Sequence, residues 1–376
     1  MNHPSGTGRR DVLKKALVLG AAAPLVGVLG RPAFATANQQ PAALSSLQLA
    51  GQRVIYSYSG LTVPASLLEA IAAGQAAGVI FFGGNISGDA QIAAAIQQLV
   101  QAQEESPVSA PLLLMTDQEG GEVRRLPGAP ALSEKAIGAS SDPALEASQA
   151  GTGAGQNLAG VGMNVNLAPV LDVYYEAGNF IDAYQRSYGN QASVVTECGQ
   201  AFITAQQQAG VAATAKHFPG LGSATKNQDT DTGPVTLTVS LSGLRGTDEV
   251  PYPAAIATGV KLVMVSWAIY PALDATYPAG LSAAWVQGEL RGRLGFGGVT
   301  ITDAIEAGAL TSFGSCGQRA VLAAQAGMDL LLCSAKDPAQ GQDVTAALAS
   351  ALGSGQLNTT TFNAAVARVA ALRSDL

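Results

Sequence analysis

Histidine is almost missing from this chain, which has only His3 and His217 among its 376 residues. His3 lies in an amino-terminal segment with the pattern of an export signal, so the mature protein keeps His217 alone. A metal site built from two histidines, or a proton relay that needs two imidazoles, therefore has no residues to draw on. We expect carboxylates to carry out any acid and base chemistry.

Cysteine, aromatic residues and charge are also scarce. Cys198, Cys316 and Cys333 are an odd number without metal-ligand spacing, so buried thiols are expected, while a bridge between Cys316 and Cys333 stays open. Aromatic residues make up 5% and charged residues 12% of the chain, the net charge is -7, and no basic stripe occurs. This composition excludes nucleic acid as a partner, because phosphates require clustered lysine and arginine.

The chain also lacks a long apolar run. The run over residues 16–30 follows a twin arginine at Arg9-Arg10, and it is shorter than the about 20 residues of a membrane span. We predict a twin-arginine-type signal peptide over 1–35 with cleavage after Ala35, the alternative being a retained anchor. The mature protein over 36–376 should be exported and free of the membrane.

Eight short apolar runs alternate with Ala-rich segments that have helical periodicity. The runs are Arg53 to Tyr58, Gly78 to Phe82, Pro111 to Thr116, Met163 to Leu167, Val211 to Ala215, Lys261 to Ser266, Gly298 to Thr302 and Met328 to Cys333. The helical segments include Asp89 to Gln103, Pro143 to Ala159, Ala192 to Ala209 and Ser315 to Ala326. Eight strand-then-helix units predict an α/β protein that forms a TIM-type (β/α)8 barrel in one domain.

A doubly wound open sheet is the competing fold. That fold usually has a glycine fingerprint after its first strand, whereas this chain has Tyr58-Ser59-Gly60-Leu61 there. The glycine-rich stretch at 151–155 lies in a helical segment and lacks the fingerprint spacing. No dinucleotide or other cofactor is expected.

The predicted strands end in polar residues that are mostly acidic. In a barrel these ends meet at one face, where the chemistry of such proteins occurs. The strand ends are Thr116-Asp117-Gln118-Glu119 after the third strand, Leu171-Asp172 after the fourth, Lys216-His217 after the fifth, Ser266-Trp267 after the sixth and Thr302-Asp303 after the seventh. One aspartate in such a place is more often a helix cap, but five polar strand ends together predict a site.

Five motifs in this order resemble the family 3 glycoside hydrolases, and within them the single-domain β-N-acetylglucosaminidases. The motifs are Asp117-Gln118-Glu119-Gly120-Gly121, Leu167-Ala168-Pro169-Val170-Leu171-Asp172-Val173, Gln185-Arg186-Ser187-Tyr188-Gly189, Lys216-His217-Phe218-Pro219-Gly220 and Val299-Thr300-Ile301-Thr302-Asp303. The match covers nearly all of the predicted mature chain.

The resemblance implies a catalytic nucleophile and a set of sugar contacts. It places the nucleophile at Asp303, with a helix cap as the alternative; a carboxylate there attacks the anomeric carbon and forms a covalent intermediate. It places hydrogen bonds to the terminal sugar on Asp117, Arg125, Arg186, Lys216 and His217.

Three of these assignments leave alternatives open. Arg124 is the neighbouring alternative to Arg125, and His217 is alternatively packed beneath the loop that follows it. Asp172 is expected to hold Arg186 or Lys216 in place.

The loop after the fifth strand departs from the family pattern. The resemblance implies an Asp-x-His dyad there, with histidine as the general acid and base, but residues 220–235 contain no histidine. Depending on the alignment, the dyad positions hold Asn227 and Asp229 or Asp229 and Asp231. Two carboxylates one residue apart raise each other's pKa, so Asp231 is the candidate acid and Asp229 its partner or substitute.

A second departure lies after the sixth strand, where the family often has histidine and this chain has Trp267. An indole stacks well on a sugar face, so Trp267 is a candidate substrate contact, with burial in the core as the alternative.

Three functions remain open. The first is a retaining exo-β-glycosidase acting on carbohydrate, expected to be β-N-acetylglucosaminides such as cell-wall fragments. The second is a catalytically silent barrel that binds a sugar or muropeptide. The third is a metal-dependent glycosyltransferase using the Asp229-Thr230-Asp231 pattern, which the predicted export and the lack of a phosphate site disfavour.

Overall fold

Eight parallel strands close into a barrel in chain order, with the last strand paired to the first. The computed structural model describes residues 44–376, so the predicted signal over 1–35 lies outside the described residues. The barrel strands are β1 Val54–Tyr56, β2 Gly78–Ile80, β3 Leu113–Thr116, β4 Val165–Asn166, β5 Ala212–Phe218, β6 Leu262–Val265, β7 Val299–Ala304 and β8 Leu330–Leu332. Each overlaps one predicted run, which confirms the (β/α)8 barrel.

Helices connect the strands on the outside of the barrel. They are α1 Ser46–Gly51, α2 Ala65–Ala72, α3 Asp89–Glu104, α4 Glu134–Gly138, α5 Pro143–Gly160, α6 Phe180–Ala183, α7 Ala192–Gln208, α8 Leu241–Gly243, α9 Pro251–Ala257, α10 Cys316–Ala326, α11 Pro338–Gly353 and α12 Thr359–Ser374. π-helical turns occupy Leu244–Asp248 and Ala284–Arg293, and 3-10 turns occupy Gly83–Asn85, Ala279–Leu281 and Gly308–Phe313. None of the described helices is both long and apolar enough to cross a membrane.

The strands are buried on both faces, because helices cover the outside and side chains fill the inside. Along β3, Leu113 and Leu114 belong to two separate apolar clusters, as expected for side chains that alternate between the two faces. A short antiparallel hairpin, Gln118–Gly120 paired with Val123–Arg124, follows β3. It lies at the end of the barrel where the polar strand ends meet.

The three cysteines are free thiols. Cys198 and Cys333 are buried and Cys316 is half-buried, so the bridge between Cys316 and Cys333 that the sequence left open is not formed. The apolar surroundings of Cys198 and Cys333 agree with the expectation of buried thiols.

Candidate active site

A cavity of about 210 Å³ opens at the carboxyl ends of the strands. Seven of the eight strands and their following loops contribute to its wall. Every residue assigned from the sequence to catalysis or to sugar contact lines it except Trp267. The lining residues among these predictions are Asp117, Arg125, Arg186, Lys216, His217, Asp229, Asp231 and Asp303. A larger open groove of about 1110 Å³ runs along α10 and α11 and contains none of the predicted residues.

Four charged side chains are linked at one wall of the cavity, which Asp117, Arg186 and Lys216 line. Lys216 Nζ lies 2.8 Å from Asp117 Oδ1 and 2.7 Å from Glu119 Oε1. Arg186 donates two hydrogen bonds to Glu119, at 2.9 and 2.8 Å. Burial alone would raise the pKa of Glu119, but the charges of Arg186 and Lys216 outweigh it and lower this pKa to about 2. Glu119 is therefore ionised and fixes both cations for contact with a ligand.

Arg125 lines the cavity and Arg124 does not. The Arg124 guanidinium donates instead to the carbonyl of Gly128 at 2.8 Å. The Nε of Arg125 is buried and has no hydrogen-bond partner among residues 44–376. An unpaired buried donor is costly, so a ligand acceptor at this position would stabilise the arrangement. Of the two arginines left open by the sequence, Arg125 is the one in the cavity.

His217 is held by Asp172, which is fully buried. His217 Nδ1 donates to Asp172 Oδ2 at 2.7 Å, and the other carboxylate oxygen accepts from the backbone N–H groups of His217 and Leu221. The Nε2 atom of His217 lies 3.5 Å from Arg186 Nη2, on the cavity side. The expectation that Asp172 holds Arg186 or Lys216 is thus wrong, because Glu119 holds both cations.

Asp303 lies near the end of β7, half-buried in the cavity wall. Its Oδ1 accepts a hydrogen bond from the N–H of Ala304 at 2.8 Å. The next α-helix, α10, is capped by the side chain of Ser315, so Asp303 is not the cap of that helix. Capping of that helix, which was the alternative role for Asp303, is therefore carried out by another residue.

The loop after β5 brings two further carboxylates to the same cavity. Asp229 Oδ1 accepts from the backbone N–H of Asp231 at 2.9 Å, so part of its side chain stabilises the turn. No such bond from residues 44–376 occupies the Asp231 carboxylate, which lies at the exposed mouth of the cavity. Partial desolvation, followed by the negative charges of Asp303 and Asp229, raises the pKa of Asp231 to about 7.

The loop is fixed against the segment that follows β7. The N–H of Gly308 donates to the carbonyl of Asp231 at 2.9 Å, and the N–H of Ala309 donates to that of Thr230 at 3.0 Å. A Cβ atom at Gly308 would lie only 2.5 Å from the carbonyl carbon of Thr232. Glycine at 308 therefore allows the loop to approach closely enough for these bonds.

Trp267 does not line the cavity, and its expected sugar contact is wrong. Its ring is fully buried and packs so closely on Gly280 that a Cβ there would lie 2.5 Å from the indole. Its Nε1 donates to the carbonyl of Ala304 at 2.8 Å. Trp267 therefore supports the backbone beside Asp303 from within the core, which was the alternative weighed from the sequence.

Sequence reasoning missed Glu119, although its motif was recognised. The available signal was chemical. The two expected cations, Arg186 and Lys216, need a compensating negative charge when they are buried, and the motif contains a carboxylate. It also missed Phe82 and Phe180, which line the cavity. Their sequence contexts are not distinctive, so no local signal identified them.

A closed (β/α)8 barrel with several carboxylates, three cations and a histidine around one cavity at its carboxyl end defines a barrel glycosidase. Residues 47–372 match the model of the glycosyl hydrolase family 3 N terminal domain. The chain belongs to glycosyl hydrolase family 3, and it is a β-N-acetylhexosaminidase-like hydrolase of that family.

The descriptions of two similar proteins agree with this family assignment. A protein described as a secreted glycosyl hydrolase from Arthroderma benhamiae is 50% identical over 87% of this chain and 93% of its own length. Beta-hexosaminidase A of Pseudoalteromonas piscicida is 30% identical over 92% of this chain and 63% of that protein, so the chain spans less than two thirds of its length.

Solved structures of similar enzymes superpose well on the barrel. The β-N-acetylhexosaminidase of Beutenbergia cavernae is 34% identical with a TM-score of 0.81, covering 89% of this chain and 99% of that one. A family 3 β-N-acetylglucosaminidase from Paenibacillus is 35% identical with a TM-score of 0.83, covering 89% of this chain and 63% of that one.

Proposed function

We propose that the protein is a retaining exo-β-glycosidase that releases terminal β-linked N-acetylglucosamine from glycans such as cell-wall fragments. One observation carries the proposal. Asp231, with its pKa raised to about 7, lines the same cavity as Asp303, and the negative charge of Asp303 contributes to that raised pKa. Such a mechanism requires a carboxyl group that holds its proton near neutral pH beside a second carboxyl group that attacks the sugar. The β-hexosaminidase relatives support the choice of sugar.

The reaction has two steps in this arrangement. In the first, an oxygen of Asp303 attacks the anomeric carbon while protonated Asp231 gives its proton to the glycosidic oxygen, and the leaving alcohol departs. In the second, Asp231 accepts a proton from water as that water attacks the anomeric carbon, which frees Asp303 and releases the sugar with its original configuration. Arg125, Arg186 and His217 would fix the orientation of the sugar hydroxyls.

Asp229 is the alternative candidate for the general acid and base. Asp231 is the better candidate because its carboxylate makes no hydrogen bond within the turn, whereas Asp229 accepts from the Asp231 N–H. The transferase alternative gains no support, because no group of three potential metal-binding side chains occurs between residues 44 and 376.

We also propose that residues 1–35 form a twin-arginine-type export signal and that the mature barrel over 36–376 acts outside the cytoplasm. The secreted relative from Arthroderma benhamiae supports export. The intact mass of the exported protein tests the signal, since cleavage after Ala35 leaves a chain beginning at Thr36.

Covalent trapping tests the assignment of Asp303. A 5-fluoro derivative of N-acetylglucosamine with an activated leaving group should add the mass of one fluorosugar to the native protein. Asp303→Asn should add none, because an amide is a poor nucleophile, and its turnover of aryl β-N-acetylglucosaminide should be abolished. Persistent labelling of Asp303→Asn would remove Asp303 from its role. Sugar binding by the native protein without labelling or turnover would favour the silent sugar-binding barrel.

A further inference from the structure

The cavity is too small for more than the terminal sugar. Its volume of about 210 Å³ is below the roughly 300 Å³ at which pockets for drug-sized ligands begin. In the proposed exo-acting reaction the leaving part of an oligosaccharide therefore lies outside the mouth. The residues around that mouth decide which leaving groups are favoured.

An aromatic pair leads from the cavity wall to the surface. Phe180 lines the cavity, and the ring of Tyr184 packs edge-on against it, with centroids 5.8 Å apart and an interplanar angle of 73°. Tyr184 is 50% exposed, more than the exposed Tyr175 and Tyr277. The Tyr175 hydroxyl is bonded to Asp248, and Tyr277 packs against a ring that lies outside the cavity wall. Tyr184 is thus the exposed aromatic ring connected directly to the cavity.

The backbone holds Tyr184 in a fixed place. The helix α6 before it is capped by Asn179, and Asp182 forms an ion pair with Lys135 at 2.7 Å. Gln185, the next residue, has a φ of 57°, a left-handed conformation that non-glycine residues seldom adopt. Arg186 then enters the charged wall of the cavity. An exposed ring fixed in this way is ready to bind a ligand with little further loss of freedom.

We propose that Tyr184, supported by Phe180, forms a leaving-group subsite that stacks on the second pyranose of a β-linked oligosaccharide. This rests on the proposed exo-glycosidase function and specifies its substrate class as saccharide chains rather than small glycosides. The C–H face of a pyranose is apolar and flat, so it packs on an aromatic ring, while the sugar hydroxyls stay in water. Stacking of this kind contributes about five- to tenfold in affinity.

Paired substrates test the subsite by turnover. The disaccharide of two β-linked N-acetylglucosamine units has a second sugar, and N-acetyl-β-glucosaminyl fluoride has none. Tyr184→Ala should lower kcat/KM for the disaccharide about five- to tenfold and change that for the fluoride less than twofold. Tyr184→Phe should restore the disaccharide value. Equal losses on both substrates, or no loss on the disaccharide, would overturn the proposal.

Tyr277→Ala is the matched control. Tyr277 is also an exposed tyrosine, 36% exposed and packed on Phe313 with centroids 5.7 Å apart, but neither residue lines the cavity. This variant should retain the native ratio of kcat/KM for the disaccharide to kcat/KM for the fluoride. A fall in that ratio for Tyr277→Ala, with none for Tyr184→Ala, would move the subsite elsewhere and overturn the assignment.

Binding measured without turnover separates this proposal from the proposed function. In an Asp303→Asn background, calorimetry should show that Tyr184→Ala weakens the disaccharide about five- to tenfold and leaves N-acetylglucosamine itself unchanged. If the native protein turns over neither substrate while this difference holds, the hydrolase function fails and the subsite stands. If the disaccharide and the monosaccharide weaken equally, the subsite fails whatever the activity.

Discussion

At the scale of single residues, the lone histidine of the predicted mature chain belongs to the wall of the cavity. His217 is 5% exposed and its Nδ1 is bonded to Asp172, which leaves Nε2 facing the cavity beside Arg186. The loop where the family pattern has a second histidine has aspartates instead. A carboxylic acid replaces an imidazole only if its pKa rises toward neutrality, and the surroundings of Asp231 produce that rise.

The pH dependence of activity should therefore reflect Asp231. As the general acid it must be protonated, so kcat/KM for a substrate with a poor leaving group should fall as pH rises through about 7. Asp229→Asn removes one of the negative charges that raise this pKa, so the descending limb should move to lower pH. The measurement is a pH profile of both proteins on the same alkyl glycoside. A limb at the same pH in both would contradict the coupling of Asp229 to Asp231.

Several of the cavity residues could be predicted because Asp117, His217 and Asp303 lie at or beside the ends of strands that are recognisable by their apolar runs. The choice between Arg124 and Arg125 could not be predicted from the sequence, and neither could the partner of Asp172. Both depend on side-chain directions that are set by distant segments. Trp267 was misassigned because a strand end can also face the core, and only its contacts with Gly280 and Ala304 show that it does.

At the scale of elements, the position of Asp231 depends on contact between two loops. The turn that carries Asp231 follows β5, and Gly308 follows β7; the two are joined by backbone hydrogen bonds from Gly308 and Ala309. The turn of Asp231 is thereby fixed to the short segment that follows Asp303. The apolar runs predicted the strands, but they gave no information on this contact, because it pairs loops 77 residues apart in sequence, from position 231 to 308.

Gly308→Ala should disturb this contact. The added methyl group would lie 2.5 Å from the Thr232 carbonyl carbon, so the turn must move and Asp231 with it. A shift of about 1 Å in a catalytic group costs on the order of 10²-fold in rate. We expect a loss of that size in kcat for glycosides with poor leaving groups, measured by steady-state kinetics.

Gly297→Ala is the matched control for this change. A Cβ at Gly297 meets no atom within 4 Å, so its kinetics should remain native. A Gly308→Ala enzyme with native kcat would show that the turn does not depend on this close approach.

At the scale of the whole molecule, the two ends of the barrel have different roles, one in the chemistry and one in stability. The cavity lies at the carboxyl ends of the strands, while the other end is closed by Asp329, which is fully buried just before β8. Asp329 accepts hydrogen bonds from Arg291, Arg368 and the N–H of Thr300. These bonds join β7, β8, the 284–293 turn and α12, so this cluster should serve stability rather than catalysis.

Asp329→Ala should therefore destabilise the fold and leave the site intact. Breaking a buried ion pair from one side leaves its partners uncompensated and costs about 3 to 5 kcal/mol of unfolding free energy. Urea denaturation measures that loss, and KM for an aryl glycoside should stay within twofold of the native value under conditions where the variant is folded. A large change in KM without a change in stability would contradict the division between the two ends.

A leaving-group series tests whether Asp231 acts as the acid and base in place of a histidine. The value of kcat/KM is measured for aryl N-acetyl-β-glucosaminides that range from activated to unactivated phenols, with native protein, Asp231→Asn and Asp229→Asn. For Asp231→Asn we expect a loss of about 10²- to 10⁴-fold on the poorest leaving groups and little loss on the best, because activated phenolates leave without a proton. Equal losses across the series, or the graded loss appearing in Asp229→Asn instead, would contradict this role of Asp231.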